Sequence, residues 1–366
     1  MDRSPIRREK LVASLARDEV DALLVVSETN VRYLTGFTGD SSALILMRDR
    51  ALLVSDGRYA TQIAQECTEV DPHIRPLGQE MDDALAEVIG RLGLGRVAFE
   101  SSVVSVARHE ELTNRLPTVS FLPVLGRVET LRAVKDEQEV ATIRAAISMA
   151  ERAFAMLRAG LRLIDTEKDA ADDLEHYLRR CGAAAASFPP IVAVGPRAAL
   201  PHARPSGEAR IGDDDFVLID WGASAVSAPY KSDLTRVVVT GKVTPKFETI
   251  YRTVLSAQER AIAAIRPGVA ARDVDAEARS VIEEAGFGAF FQHGLGHGLG
   301  LDIHEAPRLR KESDIKLLPG MVVTVEPGIY VPGWGGVRIE DDVLVTPDGC
   351  EVLTHVPRSL DSVRVG

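Results

Sequence analysis

Apolar residues recur along this chain at two spacings: in short unbroken or alternating runs, and at every third to fourth position. The helical spacing from Arg7 to Ala16 predicts a first helix, and Asp21–Ser27 reads as a short buried strand. Asn30–Gly39 looks turn-rich, and the apolar runs Ala43–Met47 and Ala51–Ser55 predict two further strands. Asp56-Gly-Arg-Tyr59 closes that hairpin and opens a helix through Glu66. A helix near Met81–Leu92 then leads to a strand at Arg96–Phe99. Strands alternating with helices indicate a layered α/β domain ending near residue 125.

The second half changes rhythm. Glu129–Asp136 reads as a connection whose acidic end suits the start of the next helix. In that helix Val140, Ile143, Ile147, Ala150, Phe154 and Leu157 share one face. A second helix spans about Thr166 to Cys181, with Gly182 just past its end. Phe188–Val194, interrupted by Pro189 and Pro190, reads as a strand entering a turn. Strands Phe216–Asp220 and Asp233–Thr240 flank a loop containing Gly222 and Pro229. Helices Lys246–Ile265 and Val274–Ala285 follow, and residues 290–356 are mostly strand and glycine-rich loop. Helices followed by antiparallel hairpins predict α+β for this half. No internal repeat or low-complexity tract is visible.

The 366 residues are long for one core, which predicts two domains, 1–125 and 126–366. A net charge of −11 argues against a nucleic-acid partner and against an anionic membrane surface. Met1 to Lys10 is charged without an apolar core, so no secretory signal is expected, and no apolar run is long enough to span a bilayer. The three cysteines, Cys67, Cys181 and Cys350, are scattered and form neither a metal-spaced pair nor a disulfide framework. A cytoplasmic protein is expected.

Candidate chemistry concentrates between His293 and Glu340. His293-Gly-Leu-Gly-His297-Gly-Leu-Gly sets histidines among glycines, and Glu326 and Glu340 each close a β-branched run. Upstream, Asp220 ends one apolar strand and Asp233 begins the next, so a hairpin can present both carboxylates on one side. Glu326 and Glu340 repeat the arrangement across the loop Pro327–Gly336. Four carboxylates converging on His297 would repel one another, and two divalent cations would balance them. Mostly oxygen donors with one nitrogen suit Mn²⁺ or Co²⁺ better than a thiolate site would. A pair of ions about 3.5–4 Å apart can lower the pKa of a shared water and clamp a tetrahedral intermediate. Taken singly, each residue has a plainer reading: either aspartate as a turn former, either glutamate as a solvated loop residue. His297 is harder to dismiss, because the flanking glycines imply a close backbone approach. Competing motifs fail. His304-Glu305 has Arg308 where a zincin helix needs histidine, and Pro307 would break the helix. Gly294–Gly300 departs from G-x-G-x-x-G, and no phosphate loop or nucleophile elbow is present.

These residues resemble the proline-specific metallopeptidases of the creatinase/methionine-aminopeptidase superfamily, whose catalytic fold is called pita-bread. Tyr33-Leu-Thr-Gly-Phe-Thr-Gly39 and Asp56-Gly-Arg-Tyr59 are similar to the smaller creatinase-type α/β N-terminal domain, and Leu131-Arg-Ala-Val-Lys-Asp-Glu137 to the start of the catalytic domain. The resemblance implies that Asp220 holds one metal ion, His297 and Glu326 the other, and that Asp233 and Glu340 bridge them. It implies two divalent ions, Mn²⁺ first, with Co²⁺ or Zn²⁺ as alternatives. Glu326 would also be the general base, His304 would stabilise the oxyanion, and His202 and His293 would line the substrate pocket. Arg338 would orient the bridging carboxylates, whereas Asp302 and Glu305 would support the ligands from behind or be structural. The implied substrate is a short peptide with proline in second position, and the implied assembly a homodimer. Asp220 and Asp233 are thirteen residues apart, two more than the family pattern, and Pro229 replaces a glycine. An even insertion keeps both side chains on one face, so ligation should survive while the nearby pocket wall differs.

The leading expectation is an Xaa-Pro aminopeptidase and the next an Xaa-Pro dipeptidase, with a closed pocket around the C-terminal carboxylate. Methionine aminopeptidase fits less well, because of the large N-terminal domain. A non-catalytic peptide-binding protein or a metal-free amidinohydrolase predicts eroded ligands, and all five are present.

Overall fold

The structure is a computed structural model describing residues 3–15, 18–67 and 69–364. It divides into two compact units, Met1–Arg132 and Ala133–Gly366. In the first, the strands are β1 (Ala22–Val25), β2 (Ala43–Met47), β3 (Ala51–Asp56), β4 (Asp71–Arg75), β5 (Arg96–Glu100) and β6 (Ser120–Val124). They form one mixed sheet in the order β4-β3-β2-β1-β5-β6. The helices are α1 (Ser4–Leu15), α2 (Glu28–Thr35), α3 (Ala60–Glu66), α4 (Met81–Arg91), α5 (Val106–Arg115) and α6 (Arg127–Arg132). Ala16, the expected end of the first helix, lies outside the described residues.

Two expectations are corrected here. The stretch from Asn30, read as turns, is largely helix α2: the Ser27 side chain caps its start and Gly36, at φ 78°, ends it. Burial outweighs the weak helix propensity of its Asn, Val and Thr, because Asn30, Val31, Tyr33 and Leu34 all face the core. The segment read as a connection from Glu129 begins inside α6, leaving only residues 133–136 as link. Three elements carry patterns too weak to read. Strand β4 is half exposed, α5 buries only Leu112, and β6 contains Pro123.

The second unit opens with α7 (Glu137–Gly160) and α8 (Glu167–Arg180). Asp136 caps α7 in a reciprocal arrangement with Glu139, as the acidic start predicts. Next come β7 (Ala185–Ala186), β8 (Ile191–Val194), β9 (Phe216–Trp221), β10 (Ala223–Ser224) and β11 (Leu234–Val239). Helices α9 (Pro245–Ala264) and α10 (Ala271–Glu284) precede β12 (Gly296–Gly298), β13 (Glu305–Leu309), β14 (Val322–Val325), β15 (Gly328–Val331), β16 (Gly335–Arg338), β17 (Asp341–Thr346) and β18 (Gly349–Val352). The main sheets are β11-β9-β8 and β13-β12-β14-β17-β18, with small ribbons β10-β7 and β15-β16. The stretch expected as a loop between Glu326 and Glu340 is therefore mostly the hairpin β15-β16, whose run of glycines hides its strand pattern.

Strand alternation places the functional side chains. Along β9, Phe216 and Leu218 pack in the core shared with α9 and α10, while Val217, Ile219 and Trp221 pack with α7 and α8. Asp220 thus shares the Phe216–Leu218 face. It pairs with Thr235, so Asp233 lies diagonally across on the same face. Further on, Val323 and Val325 are core residues, which turns Thr324 and Glu326 to the opposite side.

A buried ion pair secures the loop after His297. Lys135 Nζ lies 2.9 Å from Glu305 Oε2, with side chains 1% and 6% exposed. Glu305 Oε1 accepts from the Asp302 amide at 3.0 Å, which fits the structural role expected for these two acids. Lys135→Met removes the cation opposite a buried carboxylate and should lower stability by about 3–5 kcal/mol, read as a reduced midpoint in urea unfolding.

Candidate functional site

Asp220, Asp233, His297, Glu326, Glu340, His202, His293, His304 and Arg338 all line one cavity of about 960 Å³ in the second unit. Donor atoms of Asp233, His297 and Glu340 lie within 4.8 Å of one another. His297 Nε2 is 3.3 Å from Glu326 Oε1 and 3.6 Å from Asp233 Oδ2. The glycines around His297 are required by close approach. A Cβ on Gly296 would sit 2.1 Å from the Thr324 carbonyl oxygen, and one on Gly298 would sit 2.1 Å from that of Ala306.

The protonation pattern favours cations. His297 Nδ1 lies 3.1 Å from the Gly298 carbonyl, which can only accept, so Nδ1 carries the proton and the Nε2 lone pair faces the carboxylates. Burial, then neighbouring His304, holds the imidazole neutral with a pKa of about 3. Burial lifts Glu326 to about 7, and burial followed by the surrounding carboxylates raises Asp233 and Glu340 well above the ordinary range. Asp220 is also raised by burial, against the pull of Arg338. One of its oxygens, Oδ1, is buried with no hydrogen-bond partner among the described residues. An orphaned carboxylate oxygen, a lone pair aimed at acids and four clustered carboxylates fit a site for divalent cations.

Arg338 is the organiser of the wall, and it holds Asp220 as well as a bridging position. Its NH2 donates to Asp220 Oδ2 at 2.6 Å, and it reaches Glu340 only through Thr235. Its Nε donates to Thr235 Oγ1 at 3.0 Å, and that hydroxyl donates to Glu340 Oε2 at 2.6 Å. Its NH1 donates to the Tyr330 hydroxyl at 2.8 Å, and Tyr330 donates on to His293 Nε2 at 3.0 Å. His293 Nδ1 donates to the Gly294 carbonyl at 2.7 Å, and burial depresses its pKa to about 4. His304 stands edge-on to His297, ring centres 4.4 Å apart, and both it and His202 are exposed to the cavity.

Four participants escape a reading of the sequence. Thr324 Oγ1 accepts from the His297 amide at 3.0 Å and donates to Glu326 Oε1 at 3.2 Å. Thr235 and Thr324 each stand two residues from a carboxylate on the same strand face, so period-two spacing could have found them. Tyr330 is two strand positions into β15, invisible while that stretch is taken as loop. Arg308 lines the cavity from β13. No residue from 221 to 232, the segment that holds the two-residue insertion, lines the cavity. Tyr230 instead donates to Glu139 Oε1 at 2.5 Å.

Residues 141–347 match metallopeptidase family M24, and residues 7–134 match the creatinase/prolidase N-terminal domain. An Xaa-Pro dipeptidase of Pyrococcus horikoshii is 34% identical over 96% of this chain and 97% of its own. The solved structure of an Xaa-Pro dipeptidase from Bacillus anthracis superposes with a TM-score of 0.92 at 36% identity, covering 98% of this chain and 99% of that one. That of an X-Pro aminopeptidase from Thermotoga maritima gives 0.87 at 36% identity, covering 96% and 99%. With both matched regions in their expected order, the chain belongs to metallopeptidase family M24, a pita-bread catalytic fold preceded by a creatinase/prolidase N-terminal domain.

Proposed function

We propose that this chain hydrolyses the bond between an N-terminal residue and a following proline, using two divalent cations held by Asp220, Asp233, His297, Glu326 and Glu340. The observation that carries this reading is the neutral imidazole of His297 turning its lone pair toward buried carboxylates in a substrate-sized cavity. Mn²⁺ suits the oxygen-rich donor set. When bound, the ions supply positive charge that polarises the scissile carbonyl and acidifies a water. The side chains do the rest. Glu326, poised near neutrality, takes a proton from the attacking water and passes it to the prolyl nitrogen as the C–N bond breaks. His304 donates to the developing oxyanion, and His202 and His293 flank the peptide. An imide before proline has no N–H, so recognition rests on the amine, the ring and the carbonyl instead of a strand ladder.

Between the two ways of using such a site, the free dipeptide is favoured. Arg308 places a guanidinium in the wall, suited to a proline carboxylate, and the Pyrococcus and Bacillus relatives are named dipeptidases. The Thermotoga relative, named an aminopeptidase, supports removal of the first residue from longer peptides as a second reading. Xaa-Pro, Xaa-Pro-amide and Xaa-Pro-Xaa should be assayed with Mn²⁺, Co²⁺ or Zn²⁺ added after chelation. The dipeptide should exceed its amide in kcat/KM by about tenfold or more, and Arg308→Leu should erase that preference. Equal cleavage of all three selects the aminopeptidase reading, and no cleavage with any of the metals rejects the peptidase. A homodimer and a cytoplasmic location belong to the same proposal, the former checked by sedimentation.

A further inference from the structure

Helix α10 carries a buried ion pair that the proposed chemistry does not use. Asp275 is 0% exposed, and Arg279, one turn further on, is 8% exposed. Arg279 Nε and NH2 donate to the two carboxylate oxygens of Asp275, both at 2.9 Å. The same guanidinium extends beyond the helix. Its NH1 donates to the Phe291 carbonyl at 3.0 Å and its NH2 to the His293 carbonyl at 2.9 Å, while its carbon sits 4.2 Å from the centre of the Phe291 ring. Asp275 Oδ1 accepts from the Leu295 amide at 3.0 Å. One ion pair therefore grips the backbone at residues 291, 293 and 295, the strip from which His293 enters the cavity.

We propose that Arg279, oriented by Asp275, is a positioning residue for His293. The His293 ring is fixed at both nitrogens, to the Gly294 carbonyl and to Tyr330. Both contacts depend on where the backbone at residue 293 lies. A planar guanidinium can serve a carboxylate and two carbonyls at once, whereas an ammonium on a flexible stem cannot reproduce that fork. Helix α10 is a rigid element, so it transmits its own placement to the catalytic wall through these bonds.

The activity arm rests on the proposed peptidase reading, so the test includes a measurement that does not. Ring carbon–proton signals of the eight histidines are recorded on the metal-free protein, with His293 assigned from His293→Ala. Arg279→Lys should displace or broaden the His293 signal and leave those of His109 and His176 in place. In the metal-loaded enzyme it should lower kcat/KM about tenfold or more. In the His293→Ala background the same substitution should change kcat/KM by less than about twofold, because the effect passes through that ring. If Arg279→Lys does not fold, the neutral pair Asp275→Asn with Arg279→Gln is measured instead, with the same displacement expected. An unmoved His293 signal in a folded variant overturns the proposal, as does an undiminished activity loss in the His293→Ala background. Loss of fold in both variants also overturns it, since the pair would then be a general structural requirement. Wild-type cleavage of Xaa-Pro judges the activity separately.

Discussion

Glu326→Gln is expected to lower kcat on an Xaa-Pro dipeptide by about 10³-fold, with KM changed far less. The amide is nearly isosteric and keeps one oxygen toward His297, but it cannot take up and release a proton at neutral pH. Burial lifts the native carboxyl to about 7, where it can both accept the proton of the attacking water and return it to the leaving nitrogen. The Thr324 hydroxyl, 3.2 Å away, holds the side chain in place for both transfers. The measurement is steady-state turnover at saturating Mn²⁺, with bound metal quantified by elemental analysis. Because Glu326 is also a proposed ligand, metal content separates the two roles: a variant that keeps both ions yet turns over slowly has lost the base. Activity within about tenfold of wild type, metals retained, would move the proton transfer to another group.

The core and the site were legible in the sequence to different depths. Unbroken apolar runs locate β2 and β9 well, because a strand buried on both faces advertises itself. The face of α7 is equally plain, with Ile143, Ile147, Ala150, Phe154 and Leu157 all buried. What failed has physical causes that differ from element to element. Helix α2 is held by a cap and by burial of its Asn30 in a polar network with Glu100, Glu129 and Arg132. Such a long-range arrangement leaves no periodic trace. The glycines of β15 and β16 are strand residues where the neighbouring chain passes too close for a Cβ: at Gly336 one would meet the Ala198 carbonyl oxygen at 2.0 Å. Read locally, the same glycines signal a loop.

At the site, residue types and spacing singled out Asp220, Asp233, His297, Glu326 and Glu340, since acids at strand ends and a histidine among glycines are conspicuous, whereas His202, His293, His304 and Arg338 came only with the family resemblance; all nine line the cavity. The wiring between them was not legible. Arg338 was expected to orient the bridging carboxylates; its guanidinium binds Asp220 directly and reaches Glu340 through Thr235. The bond to Asp220 crosses from β16 to β9, more than a hundred residues away, and leaves no local trace in the sequence. Lys135 and Arg279 were silent for the same reason. Each meets a partner or backbone group that only the fold brings near.

Loading with Mn²⁺ should stabilise the protein more at pH 7.5 than at pH 5.5. In the metal-free chain the acids of the site have folded-state pKa values raised by burial, Glu326 to about 7, and Asp233 and Glu340 well above the ordinary carboxylate range. A carboxyl raised in the folded state binds more protons folded than unfolded. Its contribution is therefore fully present below the unfolded pKa, near 4, and is lost as pH climbs through the folded one. For Glu326 alone the loss is on the order of 3 kcal/mol between about pH 4 and 7. Cations require the ionised carboxylates, so binding releases those protons and opposes the loss. At 1,000 times its Kd a single bound ion adds about 4 kcal/mol. Subtracting the melting temperature in chelator from that in excess Mn²⁺ cancels every titrating group outside the site. The difference should be positive throughout and widen with pH. A difference that is flat or that narrows toward pH 7.5 would mean that the five donors do not share their charge with bound cations, and the electrostatic basis of the proposed site would be lost.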